Sequence, residues 1–137
     1  TLSKQQIKDQ FSKARQAQEN GRLDEAERGY KRLLKSAPQL AEVNFNLAEV
    51  FVLRGKVAEA ASRFEAALKL RPNEPAIWIS YLNMASKHPN PKNFDMLRER
   101  SKPVLGKTPV FSFFEGLAAL REEQWERASA WVSLPAL

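Results

Sequence analysis

Apolar residues recur along most of this chain at steps of three and four, the spacing of one face of a helix. Ile7, Phe11, Ala14 and Ala17 form one such stripe. Ser3 followed by Gln6 reads as a capping box, which starts a first helix near Lys4. Asn20-Gly21 stops it, because glycine accepts the left-handed conformation that a helix end needs. A second helix is predicted from about Leu23 to Ser36, with Pro38 barring simple continuation. A third, from about Leu40 to Arg54, turns Leu47, Ala48, Val50 and Phe51 inward. Gly55 makes the next turn, and a return helix from Val57 to Leu70 carries Ala60, Phe64, Ala67 and Leu68.

Beyond Leu70 the pattern loosens. Trp78 and Tyr81 belong to a helix from about Glu74 to Lys87. The turn that follows is Lys87-His88-Pro89-Asn90-Pro91, where Asn90 suits an N-cap and Pro91 the first helical position. The next helix holds Phe94, Met96 and Leu97 and is expected to stop before Pro103. Thr108-Pro109 opens another, with Phe113, Gly116, Leu117 and Leu120. A last helix is expected from about Gln124, bearing Trp125, Ala128, Trp131 and Val132.

The turns and stripes repeat. Gly21, Ala26, Tyr30, Leu34, Lys35 and Pro38 have partners 34 residues on, in Gly55, Ala60, Phe64, Leu68, Lys69 and Pro72. A period of this length with two helices per unit marks a stacked helical array, since one pair cannot bury its apolar face alone. Ala26 and Ala60 would lie where paired helices cross, and Tyr30 and Phe64 would fill the gap between neighbours. In the third unit Phe94 stands in the alanine position and Arg98 in the aromatic one, so a splayed or shortened pair is expected.

Small alanine, aromatic four residues later and closing proline, set at this period, resemble the tetratricopeptide repeat over residues 7–74. The resemblance implies an all-α, right-handed solenoid of antiparallel helix pairs. About three and a half to four repeats are expected in one domain over residues 1–137, with units near 7–40, 41–74, 75–108 and 109–137 and a degenerate third unit.

Composition narrows the chemistry. The chain has no cysteine and a single histidine, His88, which excludes thiolate catalysis and disulfides and leaves no second imidazole for a metal site. Asp24-Glu25 and Glu122-Glu123 suit helix starts and solvated turns better than a catalytic pair. The five glycines form no phosphate-cradling loop. No enzyme activity and no cofactor are therefore expected. No apolar run approaches the roughly 20 residues that cross a bilayer. The net charge of +6 permits contact with polyanions. However, Glu27 with Lys31, Glu59 with Arg63 and Glu65 with Lys69 are acid-first helical pairs, which describe solvated faces.

The resemblance further implies that the first helix of each pair lines a concave peptide groove. By position this assigns Lys8, Phe11, Ser12 and Arg15 in the first unit, and Glu42, Phe45, Asn46 and Glu49 in the second. Ala76, Ile79, Ser80 and Asn83 follow in the third, then Val110, Phe113, Phe114 and Leu117. Each aromatic among them reads as core ahead of ligand contact. Some domains of this family clamp the terminal carboxylate of a chaperone tail. Of the five clamp positions, Phe11, Arg15, Asn46, Ala76 and Ser80 here, only Asn46 matches, so no such tail is expected.

The expected function is a non-catalytic scaffold that binds a protein or peptide partner. One rival is an accessory arm of a multidomain enzyme. Another is RNA or other polyanion binding through Lys87, Lys92, Arg98, Arg100, Lys102 and Lys107, a stretch with only Asp95 and Glu99 against it. The apolar surface at Val110, Phe113, Phe114, Leu117 and Leu120, with no polar capping helix after it, suggests that the natural protein continues past Leu137, or that the last helices dock on a partner or on a second copy.

Overall fold

Ser3 closes the capping box as its sequence requires. Its hydroxyl accepts the Gln6 backbone N–H at 3.1 Å while the Gln6 side chain accepts the Ser3 N–H at 2.8 Å. The computed structural model describes residues 1–88 and 90–132. Pro89 and residues 133–137, with Pro135 among them, lie outside the described residues, as do the side chains of Pro91, Trp131 and Val132. The described residues form seven α-helices: α1 (Lys4–Glu19), α2 (Leu23–Ser36), α3 (Ala41–Leu53), α4 (Val57–Leu70), α5 (Pro75–Ser86), α6 (Pro91–Leu105) and α7 (Pro109–Val132). No strand occurs among them.

The glycine stops act as the sequence implies. Gly21 and Gly55 have φ of +77° and +75°. Around each, the next residue's N–H reaches back to the helix, from Arg22 to the Ala17 carbonyl and from Lys56 to the Phe51 carbonyl, both at 2.8 Å. This pair of left-handed stops turns α1 back into α2 and α3 back into α4 with the same geometry.

Two compact units divide the chain, one from Thr1 to Tyr81 and one beginning at Leu82, so that α5 runs through the division. In the first unit small residues set the spacing of the helices. Ala17, Ala26, Ala48 and Ala60 are fully buried. Gly29 touches α1 so closely that a Cβ there would meet the Ala14 Cβ at 2.9 Å. Tyr30 and Phe64, also fully buried, fill the space between neighbours. The aromatic packing is periodic too: Phe11 and Tyr30 lie 6.2 Å apart between ring centres, and Phe45 and Phe64 6.1 Å.

An ion network ties α2 to the turn between α3 and α4. Glu27, only 9% of its side chain exposed, accepts from Lys31 at 2.7 Å, Arg54 at 3.0 Å and Lys56 at 3.2 Å. Arg54 also reaches Asp24 at 2.6 Å. Lys31 and Lys56 both lie over the Phe51 ring, at 5.5 and 5.7 Å. Burial pushes the Glu27 carboxyl up, but the bonds and charges of Lys31 and Lys56 outweigh it, and the net shift is downward.

The second unit departs from expectation at the end of α6 and along α7. α6 does not stop before Pro103 but continues to Leu105. A proline deletes one N–H rung, which is tolerable this near a helix end. Phe94, in the position of the small alanines, is buried and packs edge-on against Phe114 at 6.0 Å, with Arg98 and Arg121 over its ring at 5.5 and 5.8 Å. Finally, α7 is one helix of 24 residues rather than two. The reason is local: residues 117–130 contain neither glycine nor proline, so nothing there does what Gly21 and Gly55 do. Ala128 and Trp125 are consequently exposed instead of packed inward, and a Cβ at Gly116 would meet nothing within 4 Å.

Candidate interaction surface

In the first unit, α1 and α3 are neighbours, and the face they present carries most of the residues expected to line a groove. Lys8 and Phe11 from α1 meet Glu42 at the start of α3 across a cleft of about 310 Å3, completed by Ile7, Leu40 and Leu70. The cleft has an apolar floor lined also by two cations, Lys8 and Arg71, and one carboxylate, Glu42, a suitable composition for a side chain flanked by peptide polar groups. Phe11 is half-buried, so its ring is both floor and core, resting on Tyr30 behind it.

Further along the same helices the chemistry becomes polar around the Tyr30 phenol. Tyr30 donates to Gln18 Oε1 at 2.7 Å, and the Asn46 side chain also hydrogen-bonds to it. Burial drives the phenol pKa up to about 12, with Arg15 and Asn46 opposing the rise. Tyr30 is therefore a neutral hydrogen-bonding post at any ordinary pH. Arg15 pairs with Glu19 at 3.5 Å and lies 6.0 Å from the centre of the Phe11 ring. Glu49 is half-buried, its carboxylate accepting a long bond of 3.5 Å from the Ser80 hydroxyl of α5. Burial raises its pKa, and Ser80 offsets part of the rise. Asn46, Glu49 and Arg15 are thus brought together around Tyr30, and Ser80 joins them through Glu49. Phe45 is half-buried against Phe64, and Ile79 is half-buried on α5.

In the second unit the expected groove residues separate. Phe114 is 2% exposed and belongs to the core with Phe94, so it lines no open wall. Phe113 is 58% exposed and meets Phe114 edge-on at 5.6 Å, whereas Leu117 is half-buried and Asn83 exposed. The basic stretch is partly neutralised, since Arg98 binds Asp95 at 2.6 Å and Glu115 at 2.8 Å. The backbone carbonyls of Ser86 and His88 accept from Arg121, a role that the sequence does not announce.

Two residues of the first unit escape a reading by helix face alone. Asn44 is fully buried, gives its amide to the carbonyls of Pro38 and Leu40 at 3.1 Å each, and accepts from Arg63 at 2.9 Å. One period later Trp78 donates to the Pro72 carbonyl at 2.8 Å. The signal that could have found them is their common separation of six residues from the closing proline.

Among the described residues no group of three His, Asp or Glu could hold a metal ion, and no helix is long and apolar enough to cross a membrane. The model of the tetratricopeptide repeat family matches residues 11–75. No curated protein matches the chain. A solved structure of a mutant O-GlcNAc transferase from Thermobaculum terrenum is similar in fold, with a TM-score of 0.66 and 21% sequence identity. That likeness covers 79% of this chain but only 21% of the transferase, and at this identity it concerns fold alone.

Proposed function

We propose, from the premise that residues 11–75 are tetratricopeptide repeats, that this chain is a non-catalytic scaffold holding a peptide segment of a partner protein on the face of α1 and α3. Repeat arrays use such extended faces for binding because their surface exceeds what one compact unit can present. The observation that carries the reading is the cleft shared by Lys8, Phe11 and Glu42. It supplies an apolar seat for an anchor side chain, with charges of both signs beside it. The Asn46, Glu49 and Ser80 groups continue the same face with donors and acceptors for a peptide backbone.

Anchor burial would provide most of the affinity, and the rim charges would set register and orientation. The test is selection of random displayed peptides on the immobilised protein, followed by binding to Lys8→Glu and Glu42→Lys. Both side chains are exposed, so neither change should disturb folding. Selected peptides should lose about tenfold in affinity for at least one variant, and their amide shifts should map to α1 and α3. Peptides that bind both variants as tightly as the original protein, or that map elsewhere, would refute the reading.

A further inference from the structure

The first unit has a second and larger cleft, of about 510 Å3, that the groove reading does not use. Its walls are α2 and α4 and its floor is α3, where Leu47 and Phe51 lie almost wholly buried. Leu34 adds apolar surface on the α2 side. Lys31, Lys35 and Arg63 stand around this floor, opposed by a single acidic lining residue, Glu59.

These cations are not equivalent. Lys31 is bonded to Glu27 at 2.7 Å, which holds its ammonium in place but spends much of its charge. Lys35 has no ion-pair partner among the described residues. Arg63 gives one guanidinium nitrogen to Asn44, and Asn44 is itself fixed by two backbone carbonyls. The guanidinium is therefore pre-oriented, with its other donors left over, and a fork of this kind matches a carboxylate. The period underlines the point: the residue one unit before Arg63 is Gly29, so the first repeat has no such donor. An apolar floor with a positioned guanidinium on one wall and an uncommitted ammonium on the other is complementary to an apolar side chain beside a carboxylate.

We propose that the cleft between α2 and α4 is a second binding site, which takes an acidic, apolar segment of a partner protein through Leu47, Phe51, Lys35 and Arg63. The site is independent of the face formed by α1 and α3, and a protein with both would hold two segments at once.

The probe is the blocked tetrapeptide acetyl-Glu-Leu-Phe-Glu-amide, titrated against the isotopically labelled full chain and followed by backbone amide shifts. Saturable shifts are expected at Leu34, Ser62 and Arg63. The glutamine counterpart acetyl-Gln-Leu-Phe-Gln-amide should bind about tenfold more weakly, and added salt should weaken only the acidic peptide. Lys35→Glu, at an exposed and unpaired position, should remove the preference for the acidic peptide without changing the melting temperature. Arg63→Lys, which keeps the charge but not the fork, should weaken binding in the same direction. Equal affinity for the two peptides, shifts confined to α1 and α3, or an unchanged preference in Lys35→Glu would each overturn the proposal. So would tighter binding of decanoate than of the acidic peptide, since the occupant would then be a small carboxylate.

Discussion

The indole of Trp78 donates to the carbonyl of Pro72 at 2.8 Å, six residues before it. Asn44 does the same to Pro38, at 3.1 Å, one period earlier. Two unlike side chains thus perform one task. Each closing proline ends a helix and leaves a carbonyl without a helical partner, and the next helix captures that carbonyl from the side. The bond links the turn to the following repeat and helps set the angle between them. Trp78→Phe keeps most of the packing and removes the donor, so it should destabilise by about 1–2 kcal/mol. Chemical denaturation should show a lower midpoint with an unchanged slope, and an unchanged midpoint would mean that the bond contributes nothing.

Gly29 and Gly116 should respond oppositely to alanine. At Gly29 the new methyl would sit 2.9 Å from the Ala14 Cβ, forcing α1 and α2 apart. About 1–3 kcal/mol of stability should be lost. At Gly116 nothing lies within 4 Å, so only helix propensity changes. Gly116→Ala should therefore stabilise α7 by about 0.5–1 kcal/mol. Helical circular dichroism during thermal melting would separate the two.

Glu27 should make stability depend on acid. Its carboxyl titrates below the ordinary range in the folded chain, because Lys31 and Lys56 outweigh the effect of burial. The stabilisation is therefore present above the ordinary carboxylate range and is lost as pH falls through the lowered value. Glu27→Gln should destabilise by about 1–2 kcal/mol at neutral pH, a figure moderated by the partial exposure of its cationic partners. The difference between variant and parent melting temperatures should shrink on acidification. A constant difference would place the effect in packing rather than charge.

Glu49 should show the reverse sign. Burial raises its pKa, so the folded chain keeps a proton at pH values where the unfolded chain has lost it. Stability then falls as pH rises from the ordinary carboxylate range through the raised value, and the full cost is present above that value. Glu49→Gln should accordingly melt higher than the parent at neutral pH and converge with it in acid. A lower melting temperature at neutral pH would show that the ionised carboxylate is stabilised by contacts beyond Ser80.

Tyr30→Phe tests the polar post behind the candidate groove. The next repeat has Phe64 in this place with nearly the same ring geometry, so the substitution should fit. It strands Gln18 and loosens Asn46, which should cost about 1 kcal/mol. Peptides selected on the parent should lose affinity without losing their binding position, and equal affinity would remove Asn46 from the surface that recognises them.

Much of the fold was legible because its instructions are local or strictly periodic. Gly21 and Gly55 stop helices through their own backbone freedom, and Ser3 starts one through a partner three residues away. Ala26 and Ala60 betray the crossings by size alone. Where a local instruction is missing, as between Leu117 and Ala130, a period alone predicted a break that the chain does not make. The candidate surface was legible only in part. Lys8, Phe11 and Glu42 are assigned to one face by position, through the resemblance to the repeat family, and the structure brings them to one cleft. Phe114, assigned in the same way, turns inward to Phe94 because the alanine expected there is replaced by a ring that needs a partner.

By itself the sequence determined most helix positions and the repeat length, since these depend on backbone propensity and on side-chain size at fixed separations. Tertiary structure alone decided that Glu27, already paired with Lys31 along its own helix, would also gather Arg54 and Lys56, that Asn44 would hold Arg63, and that Tyr30 would stand among Gln18, Asn46, Arg15 and Glu49. The distant partners lie up to 29 residues apart, on other helices or in the turn between α3 and α4. Their meeting depends on crossing angles and side-chain reach, quantities that a one-dimensional pattern does not contain.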